Sequence, residues 1–172
     1  TVSNFSGGNI TFSSATLYTT AANFGYFLDN KLVLLDVQNE WYQDKSAGYV
    51  YLYAPGGINP NSLSVEGVVL KYGININQNK NFIKVQNLFI TGSAETGVNV
   101  FTSNNISVTG CTITKTTSYG IVVNGSNHII NNNYFEDNLN SAVFGIFTNG
   151  EIKNNYINRT GLVPGYGFNA RG

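Results

Sequence analysis

The chain has 172 residues, of which only 10% are charged, and nine basic against nine acidic side chains give a formal net charge of zero. Without a basic surplus we expect no nucleic-acid partner, and without a long apolar run we expect no membrane insertion. The single cysteine excludes an intrachain disulfide.

Residues 1–71 differ in organisation from the rest of the chain. Segments 10–12 and 17–20 have strand patterns, whereas the apolar segment 24–35 fits either a strand or one to two turns of helix. Segment 49–53 alternates tyrosines with aliphatic residues and ends at a Pro-Gly-Gly sequence, which stops a β-ladder. We predict a β-rich lead-in whose last hairpin caps the repeats that follow.

Trp41 and Tyr42 in this lead-in have two interpretations. Their flat rings are suited to stacking on a sugar face, but a tryptophan beside the end of stacked repeats more often covers the open core. We expect the covering role.

Residues 72–172 contain an internal repeat marked by glycines 24, 23, 25 and 22 residues apart, each of which opens a short alternating strand. Units of this period cannot bury their apolar faces alone and must stack. By the two-residue period of a strand, the first and third residues after each glycine are predicted to point inward. The glycines are Gly73, Gly97, Gly120, Gly145 and Gly167.

A second pattern follows later in each unit and recurs at 23, 22 and 22 residues. Its first copy is Val85-x-x-Leu88-x-Ile90, and the others begin at Val108, Ile130 and Ile152. Three inward stretches per unit predict an all-β fold of three-stranded coils of about 22–25 residues, stacked in parallel. Because parallel crossovers are right-handed, the fold class is a right-handed parallel β-helix.

Two further features of the stack follow from this register. Asn and Gly are expected at the corners, because both tolerate left-handed backbone angles. The middle residues of the second pattern should form one buried column in which asparagines hydrogen-bond to each other and to the turn backbone. That column is Leu88, Cys111, Asn133 and Asn155.

Units such as Asn104-Asn105-Ile106-Ser107-Val108 resemble those of the right-handed parallel β-helix, or pectate-lyase-like, superfamily. The lead-in, with Glu40-Trp41-Tyr42-Gln43-Asp44 and Pro55-Gly56-Gly57, is similar to that of large secreted bacterial β-helix proteins. The resemblance implies an extracellular or cell-surface location and a polysaccharide or oligosaccharide partner, on which many members act as lyases or glycoside hydrolases. A noncatalytic adhesin or polysaccharide-binding module is the alternative.

The outward positions of the first strand supply candidate binding residues but no carboxylate. A calcium-dependent lyase needs clustered Asp or Glu, and a glycosidase needs two carboxyls about 5 to 9.5 Å apart. We therefore predict no metal or cofactor and identify no catalytic residue, so enzymatic activity stays open. An ice-binding solenoid is disfavoured because no regular threonine column faces outward. The carbohydrate-binding candidates are Asn99, Phe101, Tyr119, Asn124, Phe147 and Asn149.

Lys115, Asp137 and Arg159 are spaced 22 residues apart, two positions beyond the last inward residue of the third strand, and should stack. A surface ladder of alternating charge is the structural interpretation. A base or carboxylate clamp for an acidic sugar is the functional one. We favour the structural interpretation.

Aromatic residues and a lone histidine complete the set of candidates. Tyr119 and Phe144 are predicted to form a stacked aromatic column at the turn with Tyr72 and Tyr166, for which a structural role is favoured over sugar binding. His128 is predicted to be a turn residue with satisfied hydrogen bonds, since no second ligand in register would make a metal site.

The last predicted strand stops at Arg171-Gly172 without the polar cap that a solenoid end needs. We expect further coils of the same parent chain, and hence a segment of a longer secreted protein.

Overall fold

The computed structural model describes residues 2–14 and 31–161. Strands dominate these residues, and helix is limited to three short 3₁₀ turns, Leu32–Leu34, Pro55–Gly57 and Pro60–Ser62.

Two antiparallel hairpins precede the repeats. β1 (Val2–Ser6) pairs with β2 (Asn9–Phe12), and β3 (Trp41–Asp44) pairs with β4 (Tyr49–Leu52). The hairpin predicted around 49–53 is therefore confirmed, and its role in capping the coils stays a prediction.

The other expectations for the lead-in have mixed outcomes. The strand predicted at 10–12 is part of β2. Segment 17–20 and residues 24–30 lie outside the described residues, and 32–34 is a 3₁₀ turn.

The repeats form three parallel four-stranded sheets, to each of which every coil contributes one strand. The first sheet contains β5 (Tyr72–Asn77), β8 (Thr96–Asn104), β11 (Ile121–Ser126) and β14 (Val143–Thr148). The second contains β6 (Lys84–Gln86), β9 (Ser107–Thr109), β12 (Ile129–Asn131) and β15 (Glu151–Lys153). The third contains β7 (Phe89–Thr91), β10 (Thr112–Thr114), β13 (Tyr134–Glu136) and β16 (Tyr156–Asn158). The predicted all-β stack of three-stranded coils is confirmed.

Equivalent residues of successive coils pair directly, as the predicted spacing requires. Ile113 pairs with Ile90 of the preceding coil and with Phe135 of the next, which in turn pairs with Ile157. The second pattern pairs in the same way, from Val85 through Val108 and Ile130 to Ile152.

The core is a narrow apolar column enclosed by the three sheets. Val98, Ile113, Ile121 and Phe135 are completely buried. Burying such a side chain contributes about 1.5–3 kcal/mol relative to leaving it exposed. Stability therefore grows coil by coil, because each coil adds its own inward residues.

A buried amide ladder lies between the second and third sheets, as predicted. Asn133 donates from Nδ2 to Asn155 Oδ1 at 3.0 Å, and its own Oδ1 accepts from the Cys111 amide at 2.9 Å. Leu88 departs from the prediction because it is 45% exposed. It lies in the first coil, whose strands pair on one side only among the described residues.

The repeated glycines are required by packing across the coil. A Cβ on Gly97 would lie 2.5 Å from Ile113 Cγ2 and 2.7 Å from the Gly120 carbonyl oxygen. The inward side chain of the third strand therefore occupies the space that a side chain at the start of the first strand would need.

The fourth coil does not begin at Gly145, as the glycine spacing had predicted. Ile121 pairs with Val143, so Ala142 takes the position of Gly120, and Gly145 lies opposite Val123. The alternation of inward and outward side chains in this strand is therefore shifted by three residues from the predicted one. Ile146 is outward and 83% exposed, not inward, because an odd shift exchanges the two faces of a strand.

At each corner, one equivalent position has left-handed backbone angles in every coil, and the residues at these positions form three columns. The first and second corners carry mainly asparagine and glycine, as expected. The third corner carries the charged ladder instead. The columns are Phe82, Asn105, Asn127 and Asn149; Asn87, Gly110, Asn132 and Asn154; and Gly92, Lys115, Asp137 and Arg159.

Candidate functional site

The outer surface of the first sheet, which we call the first-sheet face, collects most of the predicted binding residues. The pairing of β5, β8, β11 and β14 builds two outward columns on it. The first column is Asn75, Asn99, Val122 and Phe144. The second column is Asn77, Phe101, Asn124 and Ile146.

Polar contacts on this face come from side-chain amides. Asn99 Nδ2 donates to Asn75 Oδ1 at 2.8 Å, which leaves the other amide groups of this pair free to contact a ligand. Asn124 Oδ1 accepts from the Ile146 amide at 3.1 Å, so this side chain is partly used within the sheet. The amides at the first two coils are therefore the main hydrogen-bonding groups.

Aromatic rings lie beside these amides. Tyr119 stacks on Phe144 with ring centroids 4.7 Å apart and an angle of 18° between the planes. Phe101 is 56% exposed at a point where the register between β8 and β11 shifts and Thr102 adopts a positive φ. The bulge therefore places an aromatic ring on the surface of the sheet.

The predicted aromatic column is only partly correct. Tyr119 and Phe144 do stack, but Tyr72 pairs with Thr96, which interrupts any continuation towards Tyr119. The Tyr72 ring instead lies 5.1 Å from the Lys71 ammonium. Tyr166 lies outside the described residues.

Four of the six predicted binding residues lie on the first-sheet face and two do not. Phe147 was expected to point outward, but the register shift of the fourth coil turns its ring inward against the core, edge-on to His128. Asn149 was placed in the same column as Asn124, but it occupies the first corner with φ 51°. The four residues on the face are Asn99, Phe101, Tyr119 and Asn124.

The first-sheet face is uncharged. Strands β5, β8, β11 and β14 contain no Asp, Glu, Lys or Arg. Within 2–14 and 31–161, no three His, Cys, Asp or Glu side chains are grouped so that they could hold a metal ion. The face therefore offers hydrogen bonds and ring stacking, and its four strands carry no carboxylate, ammonium or guanidinium group.

The charged ladder occupies the third corner, as predicted, but only part of it is paired. Arg159 forms an ion pair with Asp137, and this hydrogen bond raises the pKa of Arg159 above its ordinary value. Lys115 is exposed and has no ion pair with the described residues. The arrangement matches a surface ladder more closely than a site poised for proton transfer.

Sequence reasoning missed an aromatic stack on the third sheet. Tyr134 and Tyr156 have ring centroids 5.1 Å apart and nearly parallel planes, at 6°. Beside them Asn158 Nδ2 donates to Glu136 Oε1 at 2.9 Å. Burial, followed by the nearby Glu136 carboxylate, raises the pKa of Tyr134. The 22-residue spacing of the two tyrosines was visible in the sequence.

His128 was predicted to have satisfied hydrogen bonds, and this is only half correct. Nδ1 accepts from the Ile106 amide at 3.3 Å, whereas Nε2 is buried without a hydrogen-bond partner. Burial lowers the pKa of His128, because the charged imidazolium loses its solvation.

The covering role expected for Trp41 is wrong, because its side chain is 67% exposed. It sits on β3 opposite Leu52, where a hairpin with few contacts to the coils leaves it in solvent.

Comparison with known families identifies the fold. The family model described as the right handed beta helix region matches residues 50–172, well over half of the chain. The chain belongs to this family. As a right-handed β-helix protein it provides a solenoid scaffold, and the predicted handedness is confirmed. No curated protein and no solved structure matches it. Among the described residues, no helix is long and apolar enough to span a membrane.

Proposed function

We propose that this chain is the β-helix segment of a secreted, pectate-lyase-like protein and that its first-sheet face binds a neutral polysaccharide. The observation that carries the proposal is the uncharged outward surface of four parallel strands, on which amides and exposed aromatic rings are combined. An elongated surface of this kind suits an elongated polymer.

The chemistry of the face favours neutral over acidic sugars. Aromatic rings stack on the C–H faces of pyranose rings, and the Asn75 and Asn99 amides both donate to and accept from hydroxyls. Uronate carboxylates would find no cation on these strands to offset their desolvation. A lyase acting on uronates is therefore the less favoured activity for this face.

Binding without cleavage is the form of the proposal for this chain. Hydrolysis requires two carboxyls placed across one glycosidic bond, and none lies on the first-sheet face. Catalytic residues, if the protein is a lyase or glycoside hydrolase, belong to other parts of the protein.

The test is binding of the full chain to immobilised polysaccharides, with a β-glucan, a xylan and a galactomannan as neutral probes and polygalacturonate and alginate as acidic probes. We expect retention on at least one neutral polymer and none on the acidic ones. Tyr119→Ala should weaken binding about fivefold, since stacking of one ring contributes about 0.5–1.5 kcal/mol. Tyr49→Ala, which removes a 64% exposed tyrosine from the hairpin, is the matched control and should bind normally.

Two results would contradict the proposal. Retention only on acidic polymers would show that charge, not the uncharged face, governs recognition. New reducing ends or unsaturated termini after incubation with any of these polymers would show that the chain cleaves them.

A further inference from the structure

The outer surface of the third sheet carries an aromatic column with one ring missing. The strand register aligns Phe89, Thr112, Tyr134 and Tyr156 in successive coils. Tyr134 and Tyr156 stack at 5.1 Å, as neighbouring coils allow. Thr112 interrupts the series, and Phe89 above it is 70% exposed. We call the space bounded by Phe89, Thr112 and Tyr134 the Thr112 gap.

The width of the Thr112 gap follows from the coil spacing. Neighbouring parallel strands lie about 4.8 Å apart, so the backbone positions of Phe89 and Tyr134, two coils apart, are separated by about 9.6 Å. One flat ring placed between them would lie about 4.8 Å from each, which is within the stacking range of about 4.5–7 Å. Thr112 is half-exposed, so its side chain forms an accessible floor.

The groups around the gap favour a sugar over an aromatic ring as its occupant. The Thr112 hydroxyl and the Tyr134 phenol both donate and accept hydrogen bonds, and Glu136 lies beside Tyr134 with Oε1 held by Asn158. An aromatic ring would bury the Thr112 hydroxyl without a partner. A pyranose ring offers C–H faces to the two aromatic rings and hydroxyls to these polar groups.

Charge near the gap narrows the class of sugar. Glu136, two residues after Tyr134 on the same strand, would repel a uronate carboxylate. Of the cations at the neighbouring corner, Arg159 is already paired with Asp137, and Lys115 lies beyond the end of the strand that contains Thr112. We propose that the Thr112 gap is a binding site for one pyranose residue of a neutral saccharide. This site is separate from the first-sheet face and does not depend on it, since the two share no residue.

The experiment is an NMR titration of the ¹⁵N-labelled full chain with three probes, methyl β-D-glucopyranoside, methyl β-D-galactopyranoside and methyl α-D-mannopyranoside. Each is added to about 20 mM, because a single sandwiched ring is expected to bind with a Kd of about 1 mM. We expect saturable shifts of the Thr112 and Tyr134 amides with at least one glycoside.

Two variants separate the site from general effects of mutation. Thr112→Tyr fills the gap with a third stacked ring and should abolish the saturable shifts while the protein stays folded. Phe89→Ala removes one wall without adding bulk and should weaken binding about fivefold, on the scale of one ring stack. Thr109→Tyr makes the same replacement on the second sheet of the same coil and should leave binding intact.

The outcomes decide the proposal directly. Absence of saturable shifts at Thr112 and Tyr134 with all three glycosides overturns it, as does undiminished binding by both Thr112→Tyr and Phe89→Ala. Tyr119→Ala distinguishes the two sites, because it should weaken polysaccharide retention on the first-sheet face and leave the Thr112 shifts unchanged.

Discussion

Removal of one ladder amide, by Asn133→Ala, is expected to destabilise the solenoid strongly. The side chain is 2% exposed and joins three partners. Its Oδ1 accepts from the Cys111 amide at 2.9 Å, and its Nδ2 donates to the Val108 carbonyl at 2.9 Å and to Asn155 Oδ1 at 3.0 Å. Alanine leaves the Cys111 amide buried without a partner, whereas the Val108 carbonyl remains in the parallel ladder between β9 and β12.

The magnitude follows from that one backbone donor. A buried polar group left without a partner costs about 1–3 kcal/mol, so the variant should lose about 2 kcal/mol of unfolding free energy. Loss of the side-chain bond to Asn155 adds little to this cost, because Asn155 Oδ1 still accepts from the backbone amide of residue 133 at 2.9 Å. In a chain of this size, about 1 kcal/mol moves Tm by about 2–4 °C, so Tm should fall by about 4–8 °C.

The assay is urea unfolding of the full chain followed by far-UV circular dichroism, with Tm measured in parallel. Asn99→Ala is the control, because this outward side chain makes only one hydrogen bond, to Asn75. It should change stability by no more than about 0.5 kcal/mol. The reasoning is refuted if Asn133→Ala costs less than about 1 kcal/mol or no more than the control.

Three further variants test other parts of the structure. Gly97→Ala should lower the unfolding free energy by about 1–3 kcal/mol, because the new Cβ would clash with Ile113 and with the Gly120 carbonyl. Gly67→Ala is the control and should be nearly neutral in the same urea assay, since a Cβ there meets no atom within 4 Å. Equal effects of the two variants would contradict the packing argument. Between pH about 6.5 and the lowered folded-state pKa of His128, the unfolded chain binds a proton that the folded chain does not. The free energy of unfolding should therefore fall on acidification by up to about 1.4 kcal/mol per pH unit. His128→Ile should abolish this pH dependence above pH about 5. An unchanged slope in the variant would exclude His128 as its source. Arg159→Ala breaks the exposed ion pair with Asp137 and should lower Tm least of the three variants. This small decrease should disappear at about 1 M salt, because salt screens exposed charges. A decrease in Tm as large as that of Gly97→Ala would show that the ion pair stabilises the fold.

The stack was predictable because its determinants are local and periodic. Ile113, Phe135 and Ile157 were placed in register from spacing alone, since a parallel ladder turns sequence period directly into spatial alignment. Asn133 and Asn155 were placed in their ladder for the same reason. The buried pair of Thr116 and Asn138 at the third corner, where Oγ1 donates to Oδ1 at 2.8 Å, was missed. It follows the same 22-residue spacing, but no apolar pattern drew attention to it.

The register of the fourth coil was predicted wrongly because glycine was treated as the marker of the start of the first strand. The start of the first strand requires a small side chain, not specifically glycine, and Ala142 meets that requirement. Choosing Gly145 instead reversed Ile146 and Phe147. The exposure of Trp41 and the orphaned Nε2 of His128 depend on three-dimensional packing that a sequence period does not encode.

The three corners differ in how much they tolerate a change of chain length. Between equivalent residues, the chain advances seven positions from Val98 to Asn105 and six from Ile121 to Asn127, and the extra residue is accommodated where Thr102 adopts a left-handed conformation. The other two corners keep the same count in these two coils. Insertions and deletions over evolution should therefore accumulate beside the first sheet, which can diversify its surface while the remaining two walls keep the coils in phase.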